Sequence, residues 1–298
     1  MSDQAGQLDH LAPNPAAGVL EHPPSAEWMS DRNALVTGGG GREDGPGTVG
    51  WAICRLLARH GARIAVVDRD EPAARRTVAQ IAAAGGSAQA LIGDVSRAED
   101  CRRLVREARA TLGALDVLVN NVAAWSPAEL FEVEAGEFER LLRLNLESAW
   151  LMSREALGAM RAGGAIVNVT SVAARRAGTV YGLAKASLEA MTQGAAMLLG
   201  ERGIRVNAVQ LGPLWTGAVA ANLPAEAREP RRRMVALQSE GSCWDAAAAV
   251  LFLASAHARW ISGQVLAVDG GGPPRPPYPG VARKAGAAAA PAVGGLRA

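Results

Sequence analysis

Between about residues 31 and 271, short apolar runs alternate with stretches of helical spacing. The runs at 34–37, 63–68, 88–92, 115–120, 165–170, 205–209 and 264–268 are too short for helices and predict strands. Most show no polar alternation, which predicts cover on both faces. The stretches between them predict helices. Ile53, Leu56 and Leu57 form one apolar stripe that Gly61 stops before the second strand, and another helix is expected over 245–254. Seven strands alternating with helices predict an α/β fold: a Rossmann-type, doubly wound parallel seven-stranded sheet in a single domain. Right-handed crossovers put the ligand sites of such a sheet at the carboxyl ends of its strands.

The flanks break the pattern. Residues 1–30 mix Pro, Ala, Gly and acids without period and predict a flexible N-terminal arm, and 272–298, richer still in Pro, Gly and Ala, predict a disordered tail. That leaves 31–271 as the folded domain. The chain has 298 residues, 49% hydrophobic and 20% charged, enough for one sizeable core. A formal net charge of +2 offers no electrostatic footprint for nucleic acid or an anionic membrane. No apolar run reaches the roughly 20 residues of a membrane span, and the first residues lack the order of a signal peptide. Cys54, Cys101 and Cys243 have neither disulfide nor metal-ligand spacing. No metal is expected, and reduced thiols in the cytoplasm are.

Arginine supplies 29 of the 31 basic residues; the lysines are Lys185 and Lys284, and the tyrosines Tyr181 and Tyr278. A coding bias toward arginine and alanine accounts for most of this. Tyr278 and Lys284 fall in the tail. Tyr181 and Lys185 lie four residues apart on a predicted helix, hence on one face. A nearby ammonium stabilises a phenolate and lets a tyrosine exchange a proton with an alcohol or carbonyl near neutral pH. Lysine, with its compact charge, suits this better than arginine. Ser171, just after the fifth strand, is placed to bond a reacting oxygen. The spacing alone recurs by chance, and a solvated helix face is its default reading.

The first strand runs into a glycine-rich stretch holding Gly38 to Gly41, Gly45, Gly47 and Gly50, and then a helix. Glycine lets the backbone pass close to a pyrophosphate, and a helix start offers free N–H groups and a positive dipole. Asp68 closes the second strand. A carboxylate there can accept from adenosine ribose hydroxyls and would repel a 2′-phosphate, which favours NAD(H). Arg69 and Arg42 could pair with that phosphate and keep NADP(H) as the alternative.

These motifs, in this order, resemble those of the short-chain dehydrogenases/reductases. The resemblance covers roughly 240 residues: the Thr37-Gly38 loop, Asp68, Asp94-Val95 after the third strand, Asn120-Asn121-Val122-Ala123 after the fourth, Asn145, Ser171, Tyr181 with Lys185, Leu211-Gly212 to Thr216, and Gly263 to Gly271. It implies a nicotinamide-dependent oxidoreductase that interconverts a secondary alcohol and a ketone by hydride transfer. Tyr181 would be the general acid/base. Lys185 would lower its pKa and hold the nicotinamide ribose, Ser171 would orient the substrate oxygen, and Asn145 would anchor a water between Lys185 and solvent. Gly38, Gly47, Thr48, Val49 and Gly50 would form the cofactor loop, with Asp68 and Arg69 at the adenosine. Asp94 and Val95 would flank the adenine, Asn120 would lie near the adenine ribose, and Asn121 and Val122 would also touch the cofactor. Gly212, Leu214 and Thr216 would complete the cofactor site, with Thr216 near the carboxamide. The resemblance also implies a homotetramer or homodimer built on the helices containing Asn145 and Tyr181.

Three departures stand out. The glycine loop carries about six extra residues, with Thr48 where a middle glycine is usual. The insertion is expected to bulge outward; the other reading has Gly45 or Gly47 supplying the close approach and Arg42 touching phosphate or ribose. Ser171 precedes Tyr181 by ten residues, two or three fewer than usual, which trims one wall of the substrate pocket. Val122-Ala123 and Leu211 replace the usual Ala-Gly and Pro.

Residues 213–242 are expected to form a lid. Trp125 and Trp215 suggest a small-molecule substrate that is apolar, even aromatic, with ordinary lid packing as the equal alternative. Arg231 to Arg233 read as a solvated helix face. Trp244 and Trp260 read as core or interface, and His60 and His257 as surface residues at helix ends. A rival function keeps the fold without net redox: a biosynthetic isomerase, dehydratase or cyclase. A non-enzymatic nucleotide sensor is disfavoured because both Tyr181 and Lys185 are present.

Overall fold

The computed structural model describes residues 28–42, 45–126, 128–175 and 178–272. Tyr278, Lys284 and most of the expected arm and tail lie outside these residues. Seven strands form where the apolar runs predict them: β1 (Asn33–Thr37), β2 (Arg63–Asp68), β3 (Ser87–Ile92), β4 (Leu115–Asn120), β5 (Met160–Ser171), β6 (Arg205–Leu211) and β7 (Val265–Val268). All pair in parallel, in the order β3-β2-β1-β4-β5-β6-β7. The winding reverses between β1 and β4, and a crevice at the carboxyl ends of those strands is the expected ligand site.

Helices cover both faces: α1 (Val49–Arg59), α2 (Glu71–Ala83), α3 (Ala98–Leu112), α4 (Ala135–Leu142), α5 (Ser148–Ala156), α6 (Val180–Leu199), α7 (Gly217–Ala220), α8 (Arg228–Arg232) and α9 (Cys243–Ala254). One core holds Ile53 and Leu57 of α1 with Val36, Val66, Val250 and Leu251, and the other holds Leu104, Met152, Leu35 and Leu118. Ile53 and Leu57 are wholly buried, and each such side chain contributes about 2 kcal/mol. Gly61, at φ +96°, ends α1.

Strand β5 starts earlier than its apolar run. Met160 pairs with Leu115, the register then shifts, and Val117 pairs with Ala165. The bulge takes up Gly163, at φ +80°, which breaks the apolar pattern without ending the strand. At the amino ends of the strands, buried Asp116 accepts from Asn33 N (2.9 Å), Arg32 (3.1 Å) and Arg161 (2.9 Å). The chemistry is expected at the other end.

The domain begins before residue 31. Met29 is fully buried and its N–H donates to His60 O at 2.9 Å. Trp28 stacks on His257, with centroids 3.9 Å apart, and lies tilted 5.9 Å from His60. An arm running to residue 30 is therefore too long, and the two histidines pack on a tryptophan rather than standing free at the surface. Trp260 is 82% exposed and so is no part of the core. Trp244 packs on Trp51 at 5.2 Å. The three thiols are unpaired and buried. Burial pushes the Cys101 thiol up to about 12 and Cys54 higher still, far from reactivity. Among the described residues no helix is long and apolar enough to cross a membrane, and no cluster of His, Cys, Asp and Glu could hold a metal.

Candidate active site

Thr179 caps α6 by accepting from Gly182 N at 3.1 Å. That start puts Tyr181 on the first turn and Lys185 one turn on. The Lys185 stem is drawn inward, and Nζ donates to Val169 O of β5 at 3.0 Å. Nζ lies 5.8 Å from the Tyr181 ring centroid. Lys185 is 2% exposed, and burial alone lowers its pKa to about 8. Ser171 ends β5, and its hydroxyl accepts from Ala173 N at 3.2 Å, shaping a 3₁₀ turn, Val172–Arg175, that packs on α6. The shortened connection therefore still keeps Ser171 on the strand end that Lys185 grips.

A clamp that the sequence pattern does not announce lies behind this pair. Glu189, one turn beyond Lys185, takes Thr170 Oγ1 (2.9 Å) and Gln210 Nε2 (2.7 Å) on the same oxygen. It fastens α6 to β5 and β6. Its one sequence signal is the i+4 spacing from Lys185.

Helices α4 and α5 are joined by a π-turn, Arg143–Glu147, that packs on α6 and carries Asn145. Asn145 Nδ2 donates to Leu141 O (2.9 Å) and Ala124 O (2.7 Å), and Oδ1 accepts from Ala124 N (3.2 Å). The side chain thus fixes the loop after β4. A π-turn is a common device at functional positions, and periodicity does not reveal it.

The glycine loop closes on the switch point. Gly38 has φ +64°, and a Cβ on Gly50 would run into the Gly38 carbonyl, so α1 starts directly against the turn. Asn121 Nδ2 donates to Thr37 O and Gly38 O, both at 3.1 Å, and Val122 lies against Gly38. Thr48, in place of the middle glycine, caps α1 by accepting from Trp51 N (3.3 Å) and donates to Gly40 O (2.8 Å). A tight turn pressed on a helix start is the cradle a pyrophosphate requires, and these residues fit a dinucleotide.

The insertion does not simply bulge outward. Gly39, Gly40 and Gly41 are buried over the ends of β2 and α2. Gly47 lies under the Trp51 ring, and its carbonyl accepts from Gly217 N at 3.0 Å. Arg42 runs along Gly217, joining the loop to the segment after β6. Asp68 Oδ2 accepts from Gly40 N (2.9 Å) and Oδ1 from Asp70 N (3.1 Å), while Arg69 is exposed. Asn120 is buried, and Nδ2 donates to Ser153 Oγ of α5 (3.0 Å) and Asn168 Oδ1 of β5 (2.9 Å), so its two amide hydrogens tie the end of β4 to a helix and to the neighbouring strand. Asp94 and buried Val95 form the turn into α3: Asp94 Oδ1 accepts from Ser96 N, and Val95 O accepts from the Cys101 thiol.

After β6, Gly212 N donates to Val268 O and Thr216 caps α7. Leu214 is buried, and Trp215 pairs with Ser242, closing residues 213–242 at their base. The Arg228 guanidinium sits 5.0 Å from the Trp215 ring centroid and pairs with Glu240. Arg232 and Arg233 pair with Glu229, and Arg231 donates to Leu214 O, so these charges have partners within the segment. Trp125 is 57% exposed.

A tight glycine turn pressed on the start of α1 and a tyrosine–lysine pair on α6 are the two main features of the site. The family model described as enoyl-(acyl carrier protein) reductase matches residues 46–272. A glucose and ribitol dehydrogenase homolog of Oryza sativa subsp. japonica is 32% identical over 289 residues, covering 90% of this chain and 94% of its own. The 7alpha-hydroxysteroid dehydrogenase of Escherichia coli K12 is 32% identical over 249 residues, 82% of this chain and 95% of its own. A short-chain dehydrogenase from Burkholderia cenocepacia, solved with NADP, superposes with a TM-score of 0.74 at 33% identity over 82% of this chain and 98% of its own. The chain belongs to the short-chain dehydrogenase/reductase family.

Proposed function

We propose that the protein interconverts a secondary alcohol and a ketone on a small, largely apolar molecule, with NAD(H) or NADP(H) as co-substrate. The observation that carries this reading is the Tyr181–Lys185 pair on α6, with Lys185 Nζ bonded to Val169 O of β5, two residues before Ser171. The cofactor's pyrophosphate is assigned to the Gly38–Gly50 turn and its nicotinamide end to the segment from Gly212 to Thr216. When bound, the nicotinamide supplies or accepts the hydride.

Tyr181 gives a proton to the carbonyl oxygen in reduction and removes it from the hydroxyl in oxidation. Below about pH 8 the buried Lys185 amine carries its charge and stabilises the phenolate left after donation. Ser171 donates to the same substrate oxygen and fixes its direction. Asn145, held by both polar groups of Ala124, keeps the loop after β4 in place beside α6 and supports a water route from Lys185 to solvent. Asp94 and Val95 are assigned to the adenine. Trp215 and Trp125 are assigned to the substrate cavity.

We further propose a reducing, cytoplasmic setting, supported by the unpaired buried thiols, and a homo-oligomer, supported by the exposed Trp150, Met197 and Leu198 on α5 and α6. A panel of ketones and secondary alcohols, followed by nicotinamide absorbance, tests the activity. Turnover of a ketone that consumes reduced cofactor supports it. Conversion of a substrate with no net change in cofactor would favour an isomerase, dehydratase or cyclase.

A further inference from the structure

Two charged side chains interrupt the apolar helix α6, Lys185 and Glu189, and both turn to the sheet. Lys185 Nζ donates to Val169 O; one turn on, Glu189 Oε1 accepts from Thr170 Oγ1 (2.9 Å) and Gln210 Nε2 (2.7 Å). Thr170 and Gln210 are register partners across β5 and β6, so the carboxylate sits over one rung of the sheet. The next rung is Ser171 with Leu211, and Leu211 leads into Gly212. One oxygen is thus the node of three segments: the helix of Tyr181, the strand end of Ser171 and the segment assigned to the nicotinamide. Both donors are buried, and Gln210 Oε1 has no partner among the described residues, so Glu189 is what ties this amide. Packing alone needs no such node, because three apolar side chains of like shape would join helix and sheet without a buried, unpaired amide oxygen.

We propose that Glu189 is a positioning residue: by tying Thr170 and Gln210 to α6 it holds the Tyr181–Lys185 pair at a fixed height against Ser171 and against the segment that begins at Gly212. The inference rests on the oxidoreductase reading above. Glu189 acts through these residues and has no contact of its own with substrate or cofactor. A loosened node lets the helix shift on the strand ends, and proton donor, serine and nicotinamide then lose the alignment that the reaction needs.

The test compares Glu189→Met, Glu189→Gln and a triple variant that joins Thr170→Val and Gln210→Met to Glu189→Met. All are made with Tyr278→Phe, which leaves Tyr181 as the one phenol in the chain. In Glu189→Met, kcat should fall about tenfold or more while KM for the cofactor stays within about twofold. The phenolate absorbance of Tyr181 should titrate about half a pH unit or more higher, because Lys185 is no longer held at a fixed distance. Glu189→Gln keeps a carbonyl oxygen for both donors and should restore most of kcat and of the titration. The triple variant removes donors and acceptor together, so it should melt near wild type, yet stay as slow as Glu189→Met with the same shifted titration. It gives the answer even if Glu189→Met alone does not fold. Recovery of kcat in the triple variant would show a node that only holds the fold together and would overturn the proposal, as would an unchanged kcat in folded Glu189→Met. If the wild-type chain turns over no alcohol or ketone, the functional reading fails. Positioning is then decided by the phenol titrations, which need no turnover, and an unshifted Tyr181 in the triple variant would overturn it.

Discussion

Lys185 is a large, buried cation whose amine donates to the Val169 carbonyl. Its pKa falls from 10.5 to about 8 because burial disfavours the charged form. Below about pH 8 the amine is protonated in both folded and unfolded chains, and the full burial penalty opposes folding. Between about 8 and 10.5 the unfolded chain holds more protons, so stability rises with pH across that window. Lys185→Met removes the penalty. We expect it to melt several degrees higher at pH 7, to lose the alkaline rise in stability, and to lose about a hundredfold or more in turnover. A lower melting temperature would contradict this. Lysine is so rare in the sequence that Lys185 stands out. Asp68 and Asn120 were placed equally well along the chain, but their partners depend on a loop path and on a neighbour in β5.

The elements divide by whether their signal is local. Apolar runs mark all seven strands, most plainly β1 and β4, which are buried throughout, and less so the edge strands β3 and β7, which are only partly covered. The early start of β5 was hidden by Gly163 and Gly164, and the π-turn by having no period of its own. Asn145 is the residue that makes this turn useful. Asn145→Ala leaves the N–H and carbonyl of Ala124 without partners, and we expect a loss of about 2 kcal/mol in urea unfolding together with a fall in kcat. Ser242 caps α9 in a reciprocal box with Asp245 and also pairs with Trp215 at the base of the lid segment. Ser242→Ala should lower stability by about 1 kcal/mol and raise KM for substrate more than it lowers kcat. Unaltered stability would show that the cap is replaced by water.

The whole molecule keeps stability and chemistry at opposite ends of one sheet. Asp116 ties Arg32, Arg161 and the start of β1 at the amino ends, far from Tyr181 at the carboxyl ends. Arg32 and Arg161 remain partly in solvent, so Asp116→Ala is expected to lower stability by about 2–3 kcal/mol in chemical unfolding while leaving kcat within about twofold of wild type. A large loss of kcat in a folded variant would break that division. The central claim is proton exchange by Tyr181, and Tyr181→Phe tests it most directly. Its cofactor affinity and its turnover of an accepted ketone are measured on the same preparation. The account predicts cofactor binding close to wild type and a fall in kcat of about a hundredfold or more; near-wild-type turnover would contradict it.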